Sequence, residues 1–326
     1  MSSRINLFTV ASIGIFAFGL EPIVHEVLGH AIVCWLTGGK VILISSTAMQ
    51  TASASRLVPA AGPLANIIFG LAALALLRAL TPQQNANAHA RTNFSADATA
   101  AAPVDSVATR ISLTRLFLYF FAFANLFLAF GYILYSGLIS FGDFAVVIKG
   151  LRPAWLYRAT LVIIGALGYR YGIAQAARCL ASLMARPSPN SQLSSNANAL
   201  AAPTPPVPPP SAPTQSSPLT APPLSLPAAR SIIHTACFAG GALFLLSSFL
   251  NPISPNLILY DGISGTIGLT LGFFLALTDL RQSRALPTQS SAAAEIEIPL
   301  NLPLTIAAAS FAAAFLLFMG RGIPFR

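Results

Sequence analysis

Long apolar runs separated by short polar ones organise this chain. They read as helices at about 7–36, 60–80, 111–139, 157–183, 231–250, 257–280 and 302–319. Each is near or above the roughly 20 apolar residues that cross a bilayer. The first is longer than it needs to be, so it must tilt, bend or emerge. Pro22 offers a bend and Gly38-Gly39 a stop. From Lys40 to Val58 the helical signals lapse. Val41-Ile42-Leu43-Ile44 and the Ser/Thr-rich run after it predict a short hairpin or re-entrant segment. At membrane depth such backbone survives only where protein covers it or a cavity adjoins it. The expected fold is therefore all-α, a polytopic membrane helical bundle of about seven transmembrane helices with a β-like re-entrant segment after the first.

Two polar stretches punctuate the pattern. Thr81 to Thr109 reads as a mobile loop, with His89 a bystander in it. Residues 186–230 hold thirteen of the 25 prolines, amid Ser and Ala. Such a stretch cannot bury enough apolar surface to fold. It predicts a membrane core over 1–185, a disordered linker over 186–230 and a second membrane module over 231–326.

Composition supports the membrane reading. Apolar residues make up 55% of the chain and charged residues 8%, against about 25% charged in a soluble domain. A net charge of +9 would suggest a nucleic-acid partner in a soluble protein. Here the basic residues mostly flank apolar runs, so they serve membrane orientation and no nucleic acid is expected. Their distribution puts the N-terminus in the cytoplasm. Cys34, Cys179 and Cys237 form no C-x-x-C pair and read as buried thiols. An integral multi-pass protein of the cell (inner) membrane is expected.

Against this background one stretch stands out: Val24-His25-Glu26-Val27-Leu28-Gly29-His30-Ala31, inside the first apolar run. The chain has only four histidines and nine acids. Ionisable groups at membrane depth are expensive and usually face a partner, a cavity or a metal. Imidazoles that bind a metal, beside a carboxylate that takes a proton from water, are the vocabulary of a zinc hydrolase. The common motif places its histidines at i and i+4. His25 and His30 are i and i+5, roughly 140° apart on a regular helix. A π-bulge absorbs one residue and would bring them together. Glu26 and His30 are themselves i and i+4 and form an alternative ligand pair. A polar helix interface without metal is a further reading.

Alternation of the spans adds a third group. Spans one and three run the same way across the membrane. Asp143 closes the third, so it can meet the later half of the first. Three ligands with one open position would complete a catalytic metal site. The alternative is that Asp143 caps a helix or pairs with Lys149.

These pieces resemble the site-2-protease-like intramembrane zinc metalloproteases. His25-Glu26…Gly29-His30-Ala31 followed by Gly39-Lys40-Val41 resembles the family's first motif. Ala61-Gly62-Pro63-Leu64-Ala65-Asn66 is similar to its second core helix, and Asp143 to the Asp ending its third core span. The resemblance covers roughly residues 8 to 150. It departs in having three residues, not two, between Glu and the second His, and in Gly142-Asp143 where the family has Asp-Gly after an upstream Asn-Pro. It implies His25, His30 and Asp143 as ligands of a zinc ion and Glu26 as the general base. It implies Asn66 as a candidate group for orienting the substrate backbone or the oxyanion, beside the alternative of a helix-packing amide. It also implies a site toward the cytosol, opposite to what charge alone suggests.

The expected function is a zinc-dependent intramembrane metalloprotease acting on transmembrane or membrane-proximal peptides within the lipid bilayer. Two alternatives stand beside it. One is a non-catalytic membrane scaffold or regulator on the same fold. The other is an ion-coupled transporter using Glu21, Glu26, Asp143 and Asp261.

Overall fold

The computed structural model describes residues 4–52, 55–93, 109–184, 225–253, 262–282 and 296–325, without the side chains of 81–93 and 109. Most of the linker assigned to 186–230, and Asp261, lie outside the described residues, as does the side chain of His89. The described chain is mostly helical.

After a short strand β1 (Arg4–Ile5), helix α1 runs from Leu7 to Leu36. Asn6 starts it, its side chain accepting from Thr9 N at 3.1 Å. The helix is regular over Leu7–Pro22, becomes a π-helix over Ile23–Ala31 and returns to α over Ile32–Leu36. Gly38, at φ +75°, ends it. Strands β2 (Lys40–Ile44) and β3 (Met49–Ala52) then form an antiparallel hairpin.

Helix α2 spans Leu57–Asn93, and strand β4 (Thr109–Arg110) precedes helix α3, Leu113–Ile139. A short helix α4 (Asp143–Ile148) and a long α5 (Ala154–Met184) follow. Beyond the Pro-rich stretch come α6 (Leu226–Phe249), α7 (Ser264–Gln282), strand β5 (Ile296–Ile298) and α8, Leu302–Gly320 with a π-helical last turn. Strand β6 (Ile323–Pro324) closes the chain.

Five of these helices are long and apolar enough to cross a membrane: α1, α2 over Leu57–Leu80, α3, α6 and α8. The chain therefore has the character of a membrane protein. The outward faces agree: Ile306, Leu317 and Phe318 on α8 and Ile68 on α2 are all exposed.

The core joins the segments on either side of the Pro-rich stretch. Phe273 on α7 stacks with Phe18 on α1 and packs against Tyr119, Phe120 and Phe127 on α3. At Gly14 and Gly240 the main chains of α1 and α6 come so close that a Cβ would collide with Ala236 main chain or the Phe18 ring. Arg170 on α5 and Asp279 on α7 form an ion pair at 2.7 Å. Asp279 lies within the predicted sixth span, 257–280.

Two small sheets secure the ends. β1, β5 and β4 are parallel neighbours in that order. At the other end β6 adds to the free side of β2, giving the order β3-β2-β6. There the hairpin turn is tied down by Ser46 N donating to Met319 O at 2.8 Å and by Asn251 Nδ2 donating to Ser45 Oγ at 2.9 Å.

Candidate metal centre

The π-helical stretch of α1 decides where the site residues point. In a π-helix the main chain bonds i to i+5, so residues five apart stack on one face. His25 Nε2 and His30 Nε2 accordingly lie 3.2 Å apart, with the rings edge to face. The extra residue between Glu26 and His30 is absorbed as this local widening. Leu28 faces outward, while His25, Glu26, Gly29 and His30 are buried.

Asp143 arrives from α3. Ser140 takes a left-handed conformation at φ +59° and Gly142 sits at φ +90°, so the chain turns sharply after Ile139. Asp143 opens α4, with Gly142 at the cap position. Its carboxylate is directed at the imidazoles: Oδ2 is 3.1 Å from His25 Nε2 and 3.3 Å from His30 Nε2. Burial alone would raise the Asp143 carboxyl. The positive charge and hydrogen bonds offered by His30 and His25 outweigh this and hold it below the ordinary carboxylate range.

Two nitrogens and one oxygen thus form a nearly equilateral triangle. Two N–H groups cannot both donate into each other, so the arrangement is not a simple hydrogen-bonded trio. A four-coordinate ion with ligands about 2.0–2.1 Å away would set them roughly 3.3 Å apart. His30 has the matching tautomer. Its Nδ1 lies 2.6 Å from Val58 O. A carbonyl only accepts, so Nδ1 carries a proton, and in the neutral imidazole Nε2 then holds the lone pair that a metal would take. His25, Glu26 and His30 together form a buried group that can hold a metal ion, with ligand atoms within 4.8 Å of one another.

Helix α2 forms the wall behind the imidazoles. A Cβ at Gly62 would lie 2.5 Å from His30 Nε2 and 2.6 Å from His25 Nε2. Gly29 meets Gly62 in turn, where a Cβ would come within 2.6 Å of the Gly62 Cα. These two glycines let α2 approach the site. Tyr132 on α3 packs edge-on to His25 with centroids 5.7 Å apart.

The centre lies in an open cleft of about 850 Å³. His25, Glu26, His30 and Asp143 line it. The hairpin contributes Thr47, Met49 and Thr51, and Arg56, Lys149 and Arg158 bring positive charge. Arg56 bonds the Lys149 carbonyl at 3.0 Å, joining the start of α2 to the end of α4.

Asn66 is placed differently from the other candidates. It is fully buried on α2 and is not among the residues lining the cleft. Its Nδ2 donates to the Glu21 carboxylate on α1.

No family model matches the chain, and no curated protein or solved structure is similar to it by the same standard.

Proposed function

We propose that this chain is a zinc-dependent intramembrane metalloprotease. The observation that carries the reading is the triangle of His25 Nε2, His30 Nε2 and Asp143 Oδ2, with sides of 3.1–3.3 Å, on a cleft that Glu26 also lines. Two imidazoles and one carboxylate are a donor set that suits zinc and leaves a fourth position open. Zinc bound there would supply a Lewis acid for the scissile carbonyl and lower the pKa of a water to about 7. Glu26 takes a proton from the attacking water on a carboxylate oxygen and passes it to the leaving nitrogen.

The substrate is a transmembrane or membrane-proximal peptide in extended form. A helical peptide bond is hidden by its own hydrogen bonds, so the peptide must unwind before it reaches the cleft. In this reading α5 and α7 join the five apolar helices, giving about seven crossings of the cell (inner) membrane. The β2–β3 hairpin is then a re-entrant element beside the site.

Metal content of the detergent-purified full chain tests the first half. We expect about one zinc per chain, lost in His25→Ala, His30→Ala and Asp143→Ala. Cleavage of a reporter membrane peptide tests the second. Glu26→Gln should keep zinc and lose about 10²–10⁴-fold in rate. A wild-type chain that binds no zinc on reconstitution would overturn the proposal in favour of a non-catalytic scaffold.

A further inference from the structure

Glu21 lacks a task in the chemistry above. It sits one helical turn before His25, 1% exposed, in a chain with only nine acids. An acid inside a membrane helix is costly and is retained where it serves a partner. Its partner is Asn66, whose Nδ2 donates to Glu21 Oε1. This bond fixes which way the Asn66 amide faces. The amide nitrogen is committed to Glu21, which leaves Oδ1 as an acceptor.

Asn66 lies one helical turn beyond Gly62, which abuts His25 Nε2, and its partner Glu21 lies one turn before His25, so the Asn66 amide sits on the His25 side of α1. Yet His25 Nδ1 and Asn66 Oδ1 are both buried without a hydrogen-bond partner that satisfies full geometry. One is a potential donor and the other an acceptor. Buried polar atoms are rarely left unpaired, because each forfeits its hydration without compensation. His30 supplies the comparison: its Nδ1 proton goes to the Val58 carbonyl, and its Nε2 is thereby free to bind metal. His25 presents the same Nε2 to the same point. It needs an acceptor at Nδ1 as well.

We propose that Asn66 is the positioning residue for His25: Oδ1 accepts the Nδ1 proton, and Glu21 anchors the amide by accepting from Nδ2. The proposal takes His25 as a metal ligand from the reading above, but the proton on Nδ1 does not depend on metal. The two imidazoles are then oriented by different devices, a main-chain carbonyl for His30 and an anchored side-chain amide for His25. Asn66 acts through His25 and does not touch the substrate.

The test is nitrogen NMR of the full-length chain, labelled with ¹⁵N-histidine, in detergent. With four histidines in the chain, His25 is assigned by comparison with His25→Ala. A proton on His25 Nδ1 is expected with and without zinc, with a cross-peak to the Asn66 side chain. In Asn66→Leu that proton should be lost and zinc affinity should fall about 10–100-fold, as for other partners of metal-bound histidines. The exchanged pair Glu21→Gln/Asn66→Asp keeps a donor facing an acceptor at both contacts and should restore both readouts. A bare Nδ1 in the wild type, or no cross-peak to Asn66, overturns the proposal even if Asn66→Leu does not fold. So does an unchanged Nδ1 proton in folded Asn66→Leu. A chain that takes up no zinc yet shows the Asn66-dependent proton refutes the metal reading and upholds this one.

Discussion

The two halves of helix α1 use the same materials for different ends. Over Leu7–Pro22 the helix is a regular α-helix, and its glycines serve packing. Gly14 lies against the Ala236 main chain and Gly19 against the Phe311 ring, so α6 and α8 close on this half. Over Ile23–Ala31 the helix widens to π, and its one glycine, Gly29, lies against Gly62. There the neighbours are α2 and the start of α4, and His25, Glu26 and His30 are buried beside Val24 and Ala31. A regular helix would have turned one imidazole away from the other. The packing half closes on its neighbours through small and apolar residues, with Glu21 at its end turned to Asn66. The site half gives up α-helical hydrogen bonding to aim its ligands.

Breaking each half at its glycine should separate these roles most sharply. Gly62→Ala places a methyl group on both Nε2 atoms, and neither α2 nor the imidazoles can retreat without losing the triangle. Zinc affinity should fall more than about 100-fold, with about 1–3 kcal/mol lost from overpacking. Gly14→Ala drives a methyl group into the main chain of α6. It should cost at least as much stability, while zinc per folded chain stays at the wild-type level. Thermal unfolding combined with zinc titration reads both. Equal zinc loss in the two variants would mean that α1 acts as a single unit.

A smaller effect is expected one layer out, at Gly142. Its φ of +90° is disfavoured for residues with a side chain, and a Cβ would approach the Tyr132 ring to 2.9 Å. Gly142→Ala should displace Asp143 from the imidazoles and weaken zinc binding about tenfold, because His25 and His30 stay in place. Metal titration of the purified variant checks it.

The difference between the halves was partly legible in the chain itself. His25, Glu26 and His30 stand out because ionisable groups are scarce in an apolar run, and their spacing of five implies a π-bulge. The strand signals of Val41–Ile44 give a hairpin. Other features depend on tertiary approach, which local pattern does not carry. Nothing local in the sequence ties Gly62 to the histidines, and only packing reveals it against the imidazoles. Val58 is an ordinary apolar residue, and it is its carbonyl that orients His30. Strand β6 is two residues long, too short for any periodicity, and exists because β2 offers a free edge. The partners of Asp143 were open between a cap, Lys149 and the histidines until the turn at Ser140 and Gly142 fixed its direction.

The smallest expected effect lies farthest from the site, at the ion pair between Arg170 and Asp279. It joins α5 to α7 around the packing half, at 2.7 Å, with the Arg170 side chain 62% exposed. Exposed pairs contribute about 0–1 kcal/mol, since both groups are solvated or mobile when unpaired. Asp279→Asn keeps the shape and removes the charge. It should lower Tm by no more than about 2–4 °C and leave zinc affinity and the His25 Nδ1 proton unchanged. If zinc affinity fell with the pair, α7 would be coupled to the π-helical stretch through Phe273 and Phe18. The division between a packing half and a site half would then fail, because the contacts that close the bundle would also set the geometry of the ligands.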